Sequence, residues 1–347
     1  MDWNAALGRS LPRFLPRGYS SRYETVNGAL SDTFAAVAAE VFRAFDHDDG
    51  WPSYANGDLS SAYIRNPLET ALVLQVERKV LVVLCSGLAE TIVDYCAAAG
   101  LLAGSRLPDD WTGDAEHLDD WPSLAAAWAS HGLSTREQRY AHGILLSALD
   151  FLALHEVAHL ELGHLEEIAA TEHRLFGEGE VAARLSRLSR RDLQYREFEA
   201  DLWAFQQCLE RWVERGLATD AADLLGPVSL AWMLTLMALD SGIPLAKQAA
   251  KRHPPPVYRA VFLDEVFMEG TSTAFGTNQV EIRHLLDSTW RHMSEIAKSS
   301  GKVRHRWWGD SNARMGLSSY PRVRNGFARY YSEKLDCGRL PRQPLGG

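Results

Sequence analysis

The stretch LHEVAHLELGH, residues 154–164, places three histidines and two glutamates in an otherwise apolar helical pattern. A capping box formed by Ser134 and Glu137 precedes it, and apolar residues at helical spacing join the two. We therefore predict one long helix from Ser134 to Gly163, with the histidines near its C-terminal end. Two interpretations are open: the stretch is a metal site, or it is a helix that happens to be rich in histidine.

The spacing of this stretch suits a metal site. Because each helical residue turns the chain by about 100°, His155 and His159 lie about 40° apart, and both imidazoles can reach one ion. Glu156 sits beside His155 on the rim of that face, where it can touch a metal-bound water without being a ligand. Zinc in a hydrolase takes three protein ligands and keeps one position open for water, so a third ligand is expected elsewhere.

His164 is the nearest candidate for the third ligand. The metzincin pattern, however, needs glycine and histidine at the positions that Leu162 and Leu165 occupy here. If the helix continues, His164 also lies roughly 140° away from His159. We therefore do not expect His164 to be a ligand.

The segment REFEAD, on a later predicted helix, offers a better third ligand. Glu197 and Asp201 are four residues apart and share a face, whereas Glu199 is expected to point elsewhere. Glu197 could complete a site of two histidines and one glutamate. Asp201, one turn further on, could accept the N–H of a ligating imidazole.

The elements HEVAH, EFEAD and HPPPVYR, in this order, make the chain resemble gluzincin metallopeptidases of the HtpX and CAAX-prenyl-protease type. The resemblance implies that zinc is bound by His155, His159 and Glu197. It implies that Glu156 is the catalytic base and that Asp201 supports a ligand.

The same resemblance gives roles to two residues of the HPPPVYR element. It implies that His253 donates a hydrogen bond to the substrate or the oxyanion, and that Arg259 supports this region. It also likens the strand KVLVVL to an edge strand before HExxH. The likeness covers about residues 70–265, and the transmembrane helices typical of those proteases are absent. HLELGH more loosely resembles cytosolic Lit-like and ImmA-like HExxH proteases.

Net charge, cysteine spacing and apolar runs argue against several other classes of protein. The formal net charge of -9 argues against a protein that coats nucleic acid or an anionic membrane, so a nucleic-acid partner is not expected. The start of the chain has no apolar signal-like region, which favours a location in the cytoplasm. The four cysteines form no CxxC pair, which favours reduced cysteines that serve packing. The uncharged run 224–239 is shorter than a membrane span and is expected to be a buried helix.

We predict a mostly helical α+β fold, with a zincin-like core and a small β-sheet packed on the HExxH helix. The predicted parts are a helical extension at 1–69, a metallopeptidase core at 70–265 with an acidic excursion at about 100–133, and a basic, aromatic extension at 266–347. Further predicted elements are helices at 31–45 (capped by Ser31), 86–98, 190–215 and 279–296, and one or two strands at 71–84.

The expected function is that of a zinc metalloendopeptidase acting on a protein or peptide, in a bacterial regulatory or phage-defence setting. A regulatory protein partner could also bind. One alternative is an HExxH protein whose zinc site is structural or regulatory and which binds a partner without proteolysis. The intact Glu156 counts against it, because a structural site does not need that residue. A zinc hydrolase that does not act on peptides is a third possibility.

Overall fold

The computed structural model describes residues 28–45, 59–65, 71–76, 79–104, 124–164, 190–214, 227–240, 253–275, 278–300, 308 and 320–336. Three strands lie in this part of the chain: β1 (Leu59–Ile64), β2 (Ala71–Val76) and β3 (Lys79–Cys85). The helices are α1 (Ala29–Phe45), α2 (Ser86–Gly104), α3 (Ala125–Ser130), α4 (Thr135–Glu161), α5 (Arg190–Glu214), α6 (Pro227–Ala238), α7 (Pro256–Phe275), α8 (Gln279–Ser300) and α9 (Tyr320–Asp336). The predicted fold class, mostly helical with a small sheet, is confirmed.

Helix α4 lies at the centre of the fold. It contacts α1, α2, α5 and α6, together with strands β2 and β3. Every side chain from Ile144 to Ala158 is buried, as expected for a helix that neighbours surround on all sides. By length and composition this helix could also cross a membrane, but 83% of its apolar window is buried within the fold. Its burial is that of a core helix.

The two ends of α4 were predicted with different success. The Ser134 backbone N–H donates to Glu137 Oε2 at 2.7 Å, so the predicted capping box forms the N-terminus. The helix ends at Glu161, two residues before the predicted Gly163, and Gly163 takes a positive φ of 68°. Glycine adopts this left-handed conformation readily, which suits a position just after the end of a helix.

The sheet has the strand order β1-β3-β2. β3 pairs in parallel with β1 and antiparallel with β2, so it is the central strand. The expectation that KVLVVL is an edge strand was therefore wrong. The residues from Leu81 to Cys85 are all buried, which requires cover on both faces of the strand and fits a central position.

The other predicted helices are present, with small shifts at their ends. α1 begins at Ala29, two residues before the expected cap Ser31, and α2 extends six residues beyond the predicted end at 98. α6 is buried at every residue from Val228 to Ala238, as expected for the uncharged run. The sequence interpretation missed β1, α3, α7 and α9. Most of the acidic excursion, 105–123, lies outside the described residues.

Helices α2 and α4 approach each other closely at Gly100. A Cβ atom at this position would lie 2.8 Å from the Glu137 carbonyl oxygen and 2.9 Å from Leu133 Cδ2. We expect Gly100→Ala to lower the free energy of unfolding by about 1–2 kcal/mol, since overpacking outweighs the gain in helix propensity. Urea unfolding would measure this. Leu101→Ala, at the neighbouring 45% exposed position, should change stability much less, and equal effects would contradict the close approach.

Candidate active site

Helices α4 and α5 bring three predicted ligands to one point. His155 Nε2 lies 3.3 Å from His159 Nε2 and 3.6 Å from Glu197 Oε2, and His159 Nε2 lies 3.8 Å from Glu197 Oε1. Among the described residues, His155, His159 and Glu197 form a group able to hold a metal ion. The first two come from one face of α4, and Glu197 comes from α5, which packs against it.

The spacing of these atoms fits a metal of the size of zinc. Ligand atoms about 2.0–2.1 Å from a tetrahedral zinc lie roughly 3.3 Å apart, close to the observed distances of 3.3, 3.6 and 3.8 Å. The two facing imidazole nitrogens would repel each other through their lone pairs unless a proton or a cation lay between them. The donor set is therefore chemically suited to a cation.

The pKa values of the two histidines also suit a site that holds a cation. Burial disfavours a charged His155, but its contacts with Asp201 and Glu197 outweigh burial and raise the pKa to about 9. The site therefore stabilises positive charge at this imidazole. Burial lowers the pKa of His159 well below its usual value, so that ring is neutral and can offer a lone pair to a metal.

Glu156 has the properties of a general base. Its side chain is buried, with 6% of its surface exposed. Burial is the largest influence on this carboxyl and raises its pKa to about 7, although positively charged His155 lowers it. A carboxylate whose pKa lies near neutrality can both take up and release a proton at physiological pH.

Asp201 and Arg259 form a buried ion pair behind His155. Arg259 donates from Nε to Asp201 Oδ2 at 2.6 Å and from Nη2 to Oδ1 at 2.5 Å. His155 Nδ1 lies 3.0 Å from Asp201 Oδ1. Burial tends to raise the pKa of Asp201, but Arg259 outweighs it and lowers the pKa below the usual value. An ionised Asp201 can therefore hold the His155 ring by its far nitrogen.

His253 lies at the entrance to this cluster. Its imidazole is 70% exposed, and Nδ1 lies 3.0 Å from Glu197 Oε1. The negative charge of Glu197 is the main cause of a raised His253 pKa. Arg259 Nη1 lies 3.6 Å from Glu197 Oε2, so Arg259 contacts both Glu197 and Asp201. All seven residues singled out from the sequence thus lie in or beside one cluster.

The sequence interpretation missed a second set of residues beside His159. His164 Nδ1 lies 2.9 Å from His159 Nδ1, and His164 Nε2 lies 3.2 Å from Glu199 Oε2. Glu199 points away from the face that Glu197 and Asp201 share, as expected, and the partner that it meets there is His164. The separation of roughly 140° between His164 and His159 assumed that the helix continues, but the helix ends at Glu161, so His164 can lie beside His159. Gly163 just after the last helical turn was the signal available in the sequence.

Comparison with known proteins gives a family match for the part of the chain that holds the site. Residues 114–259, less than half of the chain, match the family model described as Peptidase U49. This stretch contains His155, Glu156, His159, Glu197 and Arg259. No curated protein and no solved structure matches the chain. The family match indicates a peptidase, and therefore a hydrolase that acts on a protein or peptide.

Proposed function

We propose that the protein is a zinc-dependent metalloendopeptidase of the gluzincin type. The observation that carries the proposal is the convergence of His155, His159 and Glu197 beside the buried Glu156. The peptidase family match supports the reaction class, and the separations of the ligand atoms support zinc. The resemblance to HtpX and CAAX-prenyl proteases supports the assignment of roles within the cluster.

In this proposal each residue has a separate task. A zinc ion bound by the three ligands would act as a Lewis acid on the scissile carbonyl and lower the pKa of water to about 7. Glu156 takes a proton from the attacking water and later delivers it to the leaving amine. Asp201 fixes the orientation of the His155 ring, and Arg259 keeps Asp201 ionised and in place.

His253 is proposed to bind the substrate carbonyl or the oxyanion. Its Nδ1 is engaged with Glu197, which leaves Nε2 as the ring nitrogen that can donate to a substrate. Its 70% exposure suits a residue that meets a substrate arriving from solvent. Donors to an oxyanion are typically worth a few kcal/mol of transition-state stabilisation.

The alternative, a structural or regulatory zinc site, is supported less well. Structural zinc sites are closed by four protein ligands, whereas the group found among the described residues supplies three. A structural site also has no use for a buried glutamate whose pKa is raised to about 7. The peptidase match likewise disfavours a zinc hydrolase that acts on other bonds.

The cellular setting and the division of the chain are further proposals. We place the protein in the cytoplasm, in a bacterial regulatory or phage-defence role, on the strength of the looser Lit-like and ImmA-like resemblance. A regulatory protein partner fits that role. The proposed division remains an N-terminal extension at 1–69, a catalytic core at 70–265 and a C-terminal extension at 266–347.

Metal analysis of the purified protein tests the proposal. We expect about one zinc per wild-type chain and a large loss of zinc in Glu197→Ala, because two histidines alone hold the ion weakly. Glu214→Ala is the matched control, since Glu214 is an exposed acid on the same helix. It should keep the wild-type zinc content. A wild type that holds no zinc after incubation with the metal and desalting would refute the proposed function.

A further inference from the structure

His164 reaches the site because α4 stops early. The chain turns at Gly163, whose backbone N–H donates to the Leu160 carbonyl at 2.9 Å. The turn returns His164 to the side of His159 that faces away from the ligand cluster. His159 uses Nε2 toward Glu197 and Nδ1 toward His164, so its two ring nitrogens have different partners.

The positions of the ring protons of His159 and His164 follow from one requirement. A metal-binding His159 needs the lone pair of Nε2, so its proton must lie on Nδ1. That proton can be donated to Nδ1 of His164, whose own proton then lies on Nε2. The Nε2–H of His164 in turn donates to Glu199 Oε2 at 3.2 Å. Every donor in the series meets an acceptor, and the series ends on a carboxylate.

Glu199 receives a second donor from the C-terminal part of the chain. The Tyr330 hydroxyl donates to Glu199 Oε2 at 3.3 Å. Glu199 is 2% exposed and His164 is 1% exposed, so neither side chain can depend on bulk water for hydrogen bonds. A buried carboxylate is stable when donors surround it, and this one holds His164 in the orientation that supports His159.

Aromatic packing holds Tyr330 at this position. Its ring centroid lies 5.0 Å from that of Tyr195 on α5, and Phe327, one turn earlier on α9, packs 5.6 Å from Phe198. Tyr195 and Phe198 lie within four residues of Glu199 in the sequence. Helix α9 is therefore docked on the same stretch of α5 that carries Glu197 and Glu199.

We propose that His164 and Glu199 are positioning residues for the metal ligand His159, and that Tyr330 extends this support to the C-terminal helix. The inference rests on the proposed function, since it takes His159 Nε2 to be a ligand. Groups that orient ligating histidines typically change metal affinity 10–100-fold when they are removed. Docking of α9 thus contributes to zinc binding although it supplies no ligand.

Zinc affinity and the visible spectrum of the cobalt-substituted full-length protein test the inference. We expect His164→Leu to weaken zinc binding about 10–100-fold and to alter the cobalt spectrum, which reports the geometry of the ligands. His164→Asn should bind nearly as the wild type does, because its amide oxygen can accept the His159 proton. Tyr330→Phe should weaken binding less than His164→Leu does. His142→Leu, at another buried histidine of α4, is the control and should leave the cobalt spectrum unchanged.

The possible outcomes separate this inference from the proposed function. Absence of zinc in the wild type would refute the function itself. Wild-type zinc binding with equal affinity in His164→Leu would overturn the positioning role alone. Equal loss in His164→Asn and His164→Leu would make His164 a ligand and also overturn it. Unchanged affinity in Tyr330→Phe would overturn the link to α9. If His164→Leu does not fold, Tyr330→Phe decides: weaker zinc binding supports the inference, and unchanged affinity overturns it.

Discussion

Replacing Glu156 with glutamine is expected to abolish peptide-bond cleavage while the metal and the fold are retained. Glutamine has nearly the same size but cannot accept the proton of an attacking water at neutral pH. A positioned general base contributes about 10²–10⁴-fold to rate, so the loss should be at least of this order. Because Glu156 is buried with a raised pKa, its neutral replacement should not lower stability.

The experiment compares wild type and Glu156→Gln on a proteome-derived peptide library, with cleavage products read by mass spectrometry. Zinc content is measured on the same samples. Glu161→Gln provides the same chemical change at the end of the same helix and should keep its activity. Full activity in Glu156→Gln would refute the proposed mechanism, whereas equal zinc with lost cleavage would support it.

Replacing Arg259 with methionine should destabilise the protein strongly. Asp201 is completely buried, and Arg259 is its closest cationic partner among the contacts of the site. Removing Arg259 leaves His155 as the remaining cationic partner of the buried Asp201, and breaking a buried ion pair in this way typically costs about 3–5 kcal/mol. Urea unfolding of the protein freed of metal by a chelator measures this cost without the contribution of zinc binding.

A surface pair and a double variant serve as controls for Arg259. Arg324 is 56% exposed and lies 3.0 Å from Glu265, so Arg324→Met should cost no more than about 1 kcal/mol. Adding Asp201→Asn to Arg259→Met should recover part of the loss, because the amide leaves no unpaired charge. If Arg259→Met and Arg324→Met cost the same, the buried pair does not carry the stability assigned to it.

The residues of the proposed ligand set could be singled out from the sequence because their spacing is local. Residues four apart on a helix share a face whatever the rest of the chain does, and both His155/His159 and Glu197/Asp201 obey this rule. The capping box at Ser134 is local in the same sense and fixed the start of α4. The contact between α4 and α5 joins residues that are far apart in the sequence, and its prediction depended on resemblance to known proteases.

Other features depended on contacts that no local pattern encodes. A run of β-branched residues predicted strands at 71–84, but only pairing with the distant β1 made β3 the central strand. Helix α9 carries many basic residues, and its position depends on aromatic contacts with α5 more than a hundred residues earlier in the chain.

The sequence by itself determined the central helix, its paired histidines and the acids of the later helix, because helical periodicity is a property of neighbouring residues. The tertiary structure alone decided the place of His164 and Glu199. The turn at Gly163 ends α4 and places His164 beside His159, and the packing of α5 and α9 then sets which carboxylate His164 meets. Such contacts follow from how complete elements pack against each other, which the spacing within any one element does not specify.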